Sequence, residues 1–318
     1  MKNFISVNDV DNVSKLINDT LEIKKQPLKY RELGKDKTLG LFFFNPSLRT
    51  RISTHKAARN LGMDVIVLNA DKDNWGLEFE EAAVMNGKKA EHIKEAAAVI
   101  GKYFDITGIR SFPTLTEKET DEDDTVIKQF MKYSGKPMIS LESATLHPLQ
   151  SLADMVTIYE NWNFNKKPKV VLTWAPHIKP IPHSVANSFS EWANKIECEF
   201  VITHPKGLEL NSLYTGNAKV VYEQDKALKD ADFVYVKNWS LYNDYGKFYN
   251  GGYDWMIDKK KLELTNNAKI MHCLPVRRNV ELSDYALDSE NSIVIKEAEN
   301  RVFAAQAVLK NILDDLNG

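Results

Sequence analysis

"LFFFNPSLRTR" (Leu41 to Arg51) passes from a greasy run into an abrupt polar cluster. The first half closes the stretch "TLGLFFF" (38–44), whose unbroken apolar, β-rich character reads as a buried strand. The second half crowds Ser47, Arg49, Thr50 and Arg51 against the start of an amphipathic segment, "RISTHKAARNLG". Strand, polar turn and helix in that order form the unit from which parallel sheets are built.

The unit repeats along the chain. Candidate strands follow at "DVIVLN" (64–69), "DITGI" (105–109), "PMISLE" (137–142) and "KVVLTW" (169–174). Others are "CEFVITH" (198–204), "KVVYE" (219–223), "DFVYV" (232–236), "KIMHC" (269–273) and "SIVI" (292–295). Helical patterns such as "AEHIKEAAAVIGKYF" and "HSVANSFSEWANK" separate them. This alternation predicts an α/β fold of two doubly wound parallel-sheet domains joined by interdomain helices. Four strands precede "HPLQSLADMVTIYENW" (147–162), which reads as a long connecting helix, and about five follow it. We therefore expect one domain at 1–150 and a second at 151–298. The helical stretch 299–318 is expected to cross back and brace the first.

Bulk composition narrows the function classes. A chain of 318 residues, 43% hydrophobic and 27% charged, can bury two ordinary cores. With 42 Lys and Arg against 44 Asp and Glu, the net charge of −2 offers no general field to recruit nucleic acid or anionic lipid. Two distant cysteines, Cys198 and Cys273, argue against a disulfide scaffold or a zinc ribbon. The opening "MKNFISVNDVDNVSKLIND" lacks a signal-peptide core and no apolar run approaches membrane-spanning length, so the expected compartment is the cytoplasm. The acidic "EKETDEDD" (Glu117 to Asp124) reads as a solvated loop and helix start.

Ligands of open α/β sheets bind beyond the carboxyl ends of the strands. Polar groups recur at those ends: the Ser47 to Arg51 cluster, Arg110, Glu142 with His147 and Gln150, His177, Lys237 with Asn238, and Arg277 with Arg278. At Ser47 a helix start would offer free N–H groups and a positive dipole end, and Arg49 and Arg51 add forked donors suited to phosphate oxygens. A capped surface helix with solvated arginines is the alternative on that motif alone. No "GxxxxGK" and no "GxGxxG" follows any strand, so a nucleotide has no evident cradle. His272 and Cys273 are adjacent on a strand and point to opposite faces, a poor metal pair. Cys273 could be a nucleophile, but no base stands beside it in sequence. Trp75, in a polar loop, suggests a ligand or subunit contact as readily as a core role.

Taken together, "SLRTR", Arg110, "HPLQSLAD", "HCLP" and "EAENR" resemble the signature set of the aspartate/ornithine carbamoyltransferase family along nearly the whole chain. The resemblance implies one α/β domain for carbamoyl phosphate, one for the amino acceptor, and a homotrimer; it implies no metal or organic cofactor. It assigns Ser47, Leu48, Arg49, Thr50, Arg110, His147, Gln150, Cys273, Leu274 and Arg301 to carbamoyl phosphate, with Thr50, Arg110, His147 and Cys273 closest to the chemistry. The "SMG" stretch of ordinary ornithine enzymes is missing, and "VKNWSLYNDYG" stands in its place. Instead "NW" at Asn74–Trp75, "WAPH", "VKNW" and "HCLPVRRN" resemble the branch acting on N2-acylated ornithine. In that branch Trp75 would reach a neighbouring subunit's carbamoyl phosphate site, while Glu142, His177, Lys237, Leu274 and Arg277 would grip the acylornithine.

Acetyl-specific members resemble "KKAEHIKE" but carry glutamate where Ala90 stands. A carboxylate there would repel a succinyl carboxylate, whereas a small neutral side chain leaves room. Glu281 stands where some acetyl-type relatives have a modifiable lysine. Both features favour N2-succinyl-L-ornithine over N2-acetyl-L-ornithine as acceptor. Ordinary ornithine carbamoyltransferase and a non-catalytic phosphate-binding α/β protein are the competing readings.

Overall fold

The structure is a computed structural model and describes residues 1–70 and 76–318. The opening stretch folds as its pattern predicts: β1 (Thr38–Phe43) is buried at every position after the first, and a helix runs over Arg49–Asn60. The chain divides into two compact units. One comprises Met1–Asn12, Asn18–Leu149 and Arg301–Gly318; the other comprises Val13–Ile17 and Gln150–Asn300.

The first unit adds β2 (Asp64–Asn69), the short pair β3 (Leu77–Glu78) and β4 (Glu91–His92), then β5 (Ile106–Arg110) and β6 (Met138–Glu142). Its main sheet is parallel throughout, in the order β2-β1-β5-β6. From β1 the chain winds one way to β2, and from β5 the other way to β6, so the topological switch lies between β1 and β5. Phe42 meets Phe104 edge-on at 5.6 Å and Phe130 at 5.9 Å, filling one face. Gly101 lets the helix Ile93–Tyr103 approach the end of the helix Thr125–Ser134, since a Cβ there would lie 2.1 Å from the Ser134 carbonyl oxygen. Two-residue strands such as β3 and β4 have no periodicity for a sequence reading to detect.

The second unit contains β7 (Lys169–Trp174), β8 (Glu199–Thr203), β9 (Lys219–Val221), β10 (Phe233–Lys237) and β11 (Lys269–Met271). They form a parallel sheet in the order β11-β10-β7-β8-β9, with its switch between β7 and β10. Val171, Val234, Val236 and Ile270 belong to one core cluster, and Phe189 stacks on Tyr235 at 4.0 Å. Among the described residues no helix is long and apolar enough to cross a membrane.

Two expectations fail. "SIVI" (292–295) is not a strand: Ser292 bridges Ile270 once, and the helix Val294–Asn317 then begins. The β-branched run had suggested a strand, but it only skirts the sheet edge before turning. The acidic stretch is not wholly solvated either. Asp121 is buried and accepts the Thr114 and Leu115 N–H groups at 2.9 and 2.8 Å, and Asp124 is also turned inward.

Candidate active site

The first unit's switch point gathers cations around one turn. No side chain caps the helix Arg49–Asn60, so its first-turn N–H groups and positive dipole end stand open. Thr50 is buried, and its hydroxyl accepts from Arg301. Arg49 has a buried Nε with no hydrogen-bond partner among the described residues. Arg51 departs from its expected role: it bonds the Asn69 side chain and lies 5.0 Å over the Phe43 ring, committed to the strand ends.

Arg110 closes β5 opposite Phe43 of β1, beside a register shift that sets it against Glu142 of β6. Its guanidinium donates to the Pro46 carbonyl at 2.6 Å, to the Asn45 carbonyl at 3.3 Å and to Glu142 Oε2 at 2.9 Å. One side chain thus fixes the loop before the helix and pairs with the buried Glu142 carboxylate. His147 Nε2 lies 3.4 Å from Arg301 Nη2 and 3.6 Å from Glu142 Oε2. Burial, with Arg301 and Arg110 adding to it, holds the ring well below the usual histidine range, so it is neutral at pH 7. The turn before it is held by Asp124, which accepts from Ser143 Oγ at 2.8 Å and the Ala144 N–H at 2.9 Å. Burial raises the Asp124 pKa against those bonds.

In the second unit the switch point carries His177 beyond β7 and Lys237 at the end of β10. Arg277 Nε donates to His177 Nε2 at 3.2 Å, and His177 Nδ1 lies 3.0 Å from the Lys179 carbonyl. The Lys179 N–H also lies 3.2 Å from Nδ1, so both ring nitrogens have fixed partners. Burial, reinforced by Lys237 and Arg277, lowers the His177 pKa despite the Lys179 carbonyl and Glu281. His272, at the end of β11, is fully buried. Its Nδ1 accepts the Leu274 N–H at 2.9 Å, which leaves Nε2–H to donate to Glu281 Oε1 at 3.2 Å. Glu281 Oε2 accepts the Arg277 N–H at 2.8 Å. Burial would raise the Glu281 pKa, but His272, Lys237 and that N–H together hold it down to about 2. A single carboxylate therefore ties both ends of the "HCLPVR" turn, in which Leu274 takes the left-handed φ of 54°.

Glu142 stands with Arg110 and His147 in the first unit, while His177, Lys237, Leu274 and Arg277 stand in the second. Gln150 and Cys273 also belong to the second unit. Arg278 is not part of that cluster; it is exposed and paired with Asp284 and Asp288. Ala90 is exposed, and its N–H donates to the Gly76 carbonyl at 3.0 Å. Trp75 lies outside the described residues. Sequence reasoning weighed His272 only as a metal ligand, read Asp124 only as part of a solvated run, treated Glu281 only as a departure from relatives, and gave no role to the buried Asp154 and Glu297. Glu297 was legible in principle, since it opens the quoted "EAENR".

Comparison with known proteins identifies the family. The family description "Aspartate/ornithine carbamoyltransferase, carbamoyl-P binding domain" matches residues 2–160, and "Aspartate/ornithine carbamoyltransferase, Asp/Orn binding domain" matches 182–312. The chain belongs to the aspartate/ornithine carbamoyltransferase family. This carbamoyltransferase is 49% identical to N-succinylornithine carbamoyltransferase of Bacteroides fragilis (strain 638R), covering 99% of this chain and 100% of the relative. It is 36% identical to N-acetylornithine carbamoyltransferase of Xanthomonas axonopodis pv. citri (strain 306), covering 97% of this chain and 96% of that one. Its fold matches a solved structure of N-acetyl-L-ornithine transcarbamylase, a glutamate-to-alanine mutant complexed with carbamyl phosphate and N-succinyl-L-norvaline. There the TM-score is 0.92 at 35% identity, covering 98% of this chain and 100% of the other.

Proposed function

We propose that this carbamoyltransferase moves the carbamoyl group of carbamoyl phosphate to the δ-amine of N2-succinyl-L-ornithine. The products are N2-succinyl-L-citrulline and phosphate, a step of arginine biosynthesis in the cytoplasm. The neutral amine attacks the carbonyl carbon and a tetrahedral intermediate forms; the C–O bond to phosphate then breaks with its electron pair leaving on phosphate, which also takes up the proton lost by the amine. Ser47, Leu48, Arg49, Thr50 and Arg301 hold the phosphate by N–H groups, hydroxyls and guanidinium forks. Thr50, Arg110 and His147 stabilise the developing oxyanion. His147, held neutral, acts as a hydrogen-bonding group there rather than as an acid. Gln150, Cys273 and Leu274 orient the carbamoyl group and the attacking amine, Cys273 through its backbone position. Trp75 contributes from a neighbouring subunit of a homotrimer.

Residues 1–150, with 299–318, form the carbamoyl phosphate domain, and 151–298 form the acylornithine domain. Glu142, His177, Lys237, Leu274 and Arg277 bind the acylornithine, and Ala90 leaves space for its acyl group. The observation that carries the succinyl acceptor is the gap in identity, 49% to the succinyl-type relative against 36% to the acetyl type. The small side chain at Ala90 fits the same choice, as does the mutant relative that exchanges a glutamate for alanine and holds an N-succinyl ligand. Phosphate release should be measured with ornithine, N2-acetyl-L-ornithine and N2-succinyl-L-ornithine in parallel. Succinylornithine is expected to lead by roughly tenfold or more in kcat/KM. A lead for acetylornithine would replace the acceptor, and a lead for ornithine would move the protein to the ordinary type.

A further inference from the structure

We propose that Asp154 and Glu297 are positioning residues that fix which way the Gln150 amide faces, and that this selects an NH2-bearing acyl phosphate. The inference rests on the carbamoyl phosphate reading and deepens it. Gln150, Asp154 and Glu297 are all buried, with exposures of 1%, 0% and 0%. Gln150 Nε2 donates to Asp154 Oδ1 at 2.8 Å and to Glu297 Oε1 at 3.3 Å.

Ionised carboxylates only accept, and an amide keeps its two donors on one end. Turning the amide over would set its oxygen against two carboxylate oxygens. The pair therefore pins the nitrogen end, and Oε1 must point away from both. That oxygen is buried and has no hydrogen-bond partner among the described residues. A buried acceptor in this state is destabilising until a donor reaches it. The carbamoyl NH2 is such a donor. A methyl group in its place, as in acetyl phosphate, is not.

The local fold explains how a glutamate from a distant helix reaches this amide. The Ile270 N–H bonds the Asn291 carbonyl and the Ile293 N–H bonds the Ile270 carbonyl, so the chain runs beside β11 before the helix Val294–Asn317 starts. Glu297 then falls in the first turn, where the helix dipole favours a carboxylate. Its second oxygen accepts the His272 N–H at 2.9 Å, which joins the amide to the strand end that precedes Cys273 and Leu274. Asp154 follows Gln150 by one helical turn on Pro148–Asn161.

Calorimetric titration of the full-length protein with carbamoyl phosphate and with acetyl phosphate tests the assignment, using wild type, Asp154→Asn and Glu297→Gln. Wild type should prefer carbamoyl phosphate by roughly tenfold or more. Each variant should weaken carbamoyl phosphate by about fivefold, Asp154→Asn the more, and acetyl phosphate by less than about twofold. Equal weakening of both ligands would mark a merely structural role and overturn the proposal, as would unchanged preference in both variants. If one variant fails to fold in a thermal melt, the other reads the same ratio. Wild-type turnover is followed separately: its absence with carbamoyl phosphate would refute the function, whereas variant preferences bear on the amide alone.

Discussion

The two sheets place their polar groups by the same rule and reach opposite electrostatic results. In the first unit Arg49, Arg51, Arg110 and Arg301 lie on or are bonded to the segment 45–51, with Glu142 as the bonded counter-charge. In the second, Lys237 and Arg277 are arranged about one buried carboxylate, Glu281, and two hydrogen-bonded histidines. Parallel winding fixes only the location, the strand ends at a switch point. Residue choice then makes one end rich in guanidinium groups and the other a balanced set of both signs.

The strongest way to break that contrast is Arg110→Ala. Turnover should fall by roughly 10²–10³-fold or more through loss of an oxyanion donor, measured as phosphate release. The variant would also strip the buried Glu142 of its guanidinium partner, costing about 3–5 kcal/mol in a denaturant titration. The double change Arg110→Gln with Glu142→Gln should recover much of the stability and none of the turnover. A fully active Arg110→Ala enzyme would remove the first unit from the chemistry.

Glu281→Gln probes the second unit in the same way. A folded pKa of about 2 lies below the ordinary 4.5, so the folded state favours the charged carboxylate. Its contribution, on the order of 3 kcal/mol, is fully present above pH ~4.5 and is lost as pH falls towards 2. Wild type and variant should therefore differ most near neutrality and converge in acid unfolding curves. A difference that is constant down to pH ~2 would deny the carboxylate its role.

His147 sharpens the comparison with a smaller effect. Its folded pKa is depressed, so below pH ~6.5 the unfolded chain binds a proton that the folded ring refuses. Wild type should lose up to about 1.4 kcal/mol per pH unit in this range relative to His147→Asn. No inflection near 6.5 should appear in kcat from this group. The smallest stability effect belongs to Ala90→Glu, which is exposed and should stay within about 0.5 kcal/mol of wild type. Its acceptor preference should nevertheless move from succinyl to acetyl ornithine in a competition assay.

Much of the fold was legible because long buried strands show themselves as apolar runs. β1 and β7, buried past their first residue, begin where their patterns begin. "SIVI" misled because a β-branched run can skirt a sheet edge and then turn into a helix. At the site, residues that directly follow a strand were visible. Those that act through another side chain were not, because the link is spatial: Glu281 is nine positions from His272, and Glu297 is 147 from Gln150. Asp124 was hidden in an acidic run whose members, Asp121 apart, mostly face water, and its contacts with the turn at 143–145 distinguish it.

Ala90 is tied to Gly76 by main-chain atoms, just ahead of the small β3–β4 ladder. Every amino acid except proline owns that N–H. One codon can therefore alter what protrudes at this spot while the ribbon behind it keeps its course.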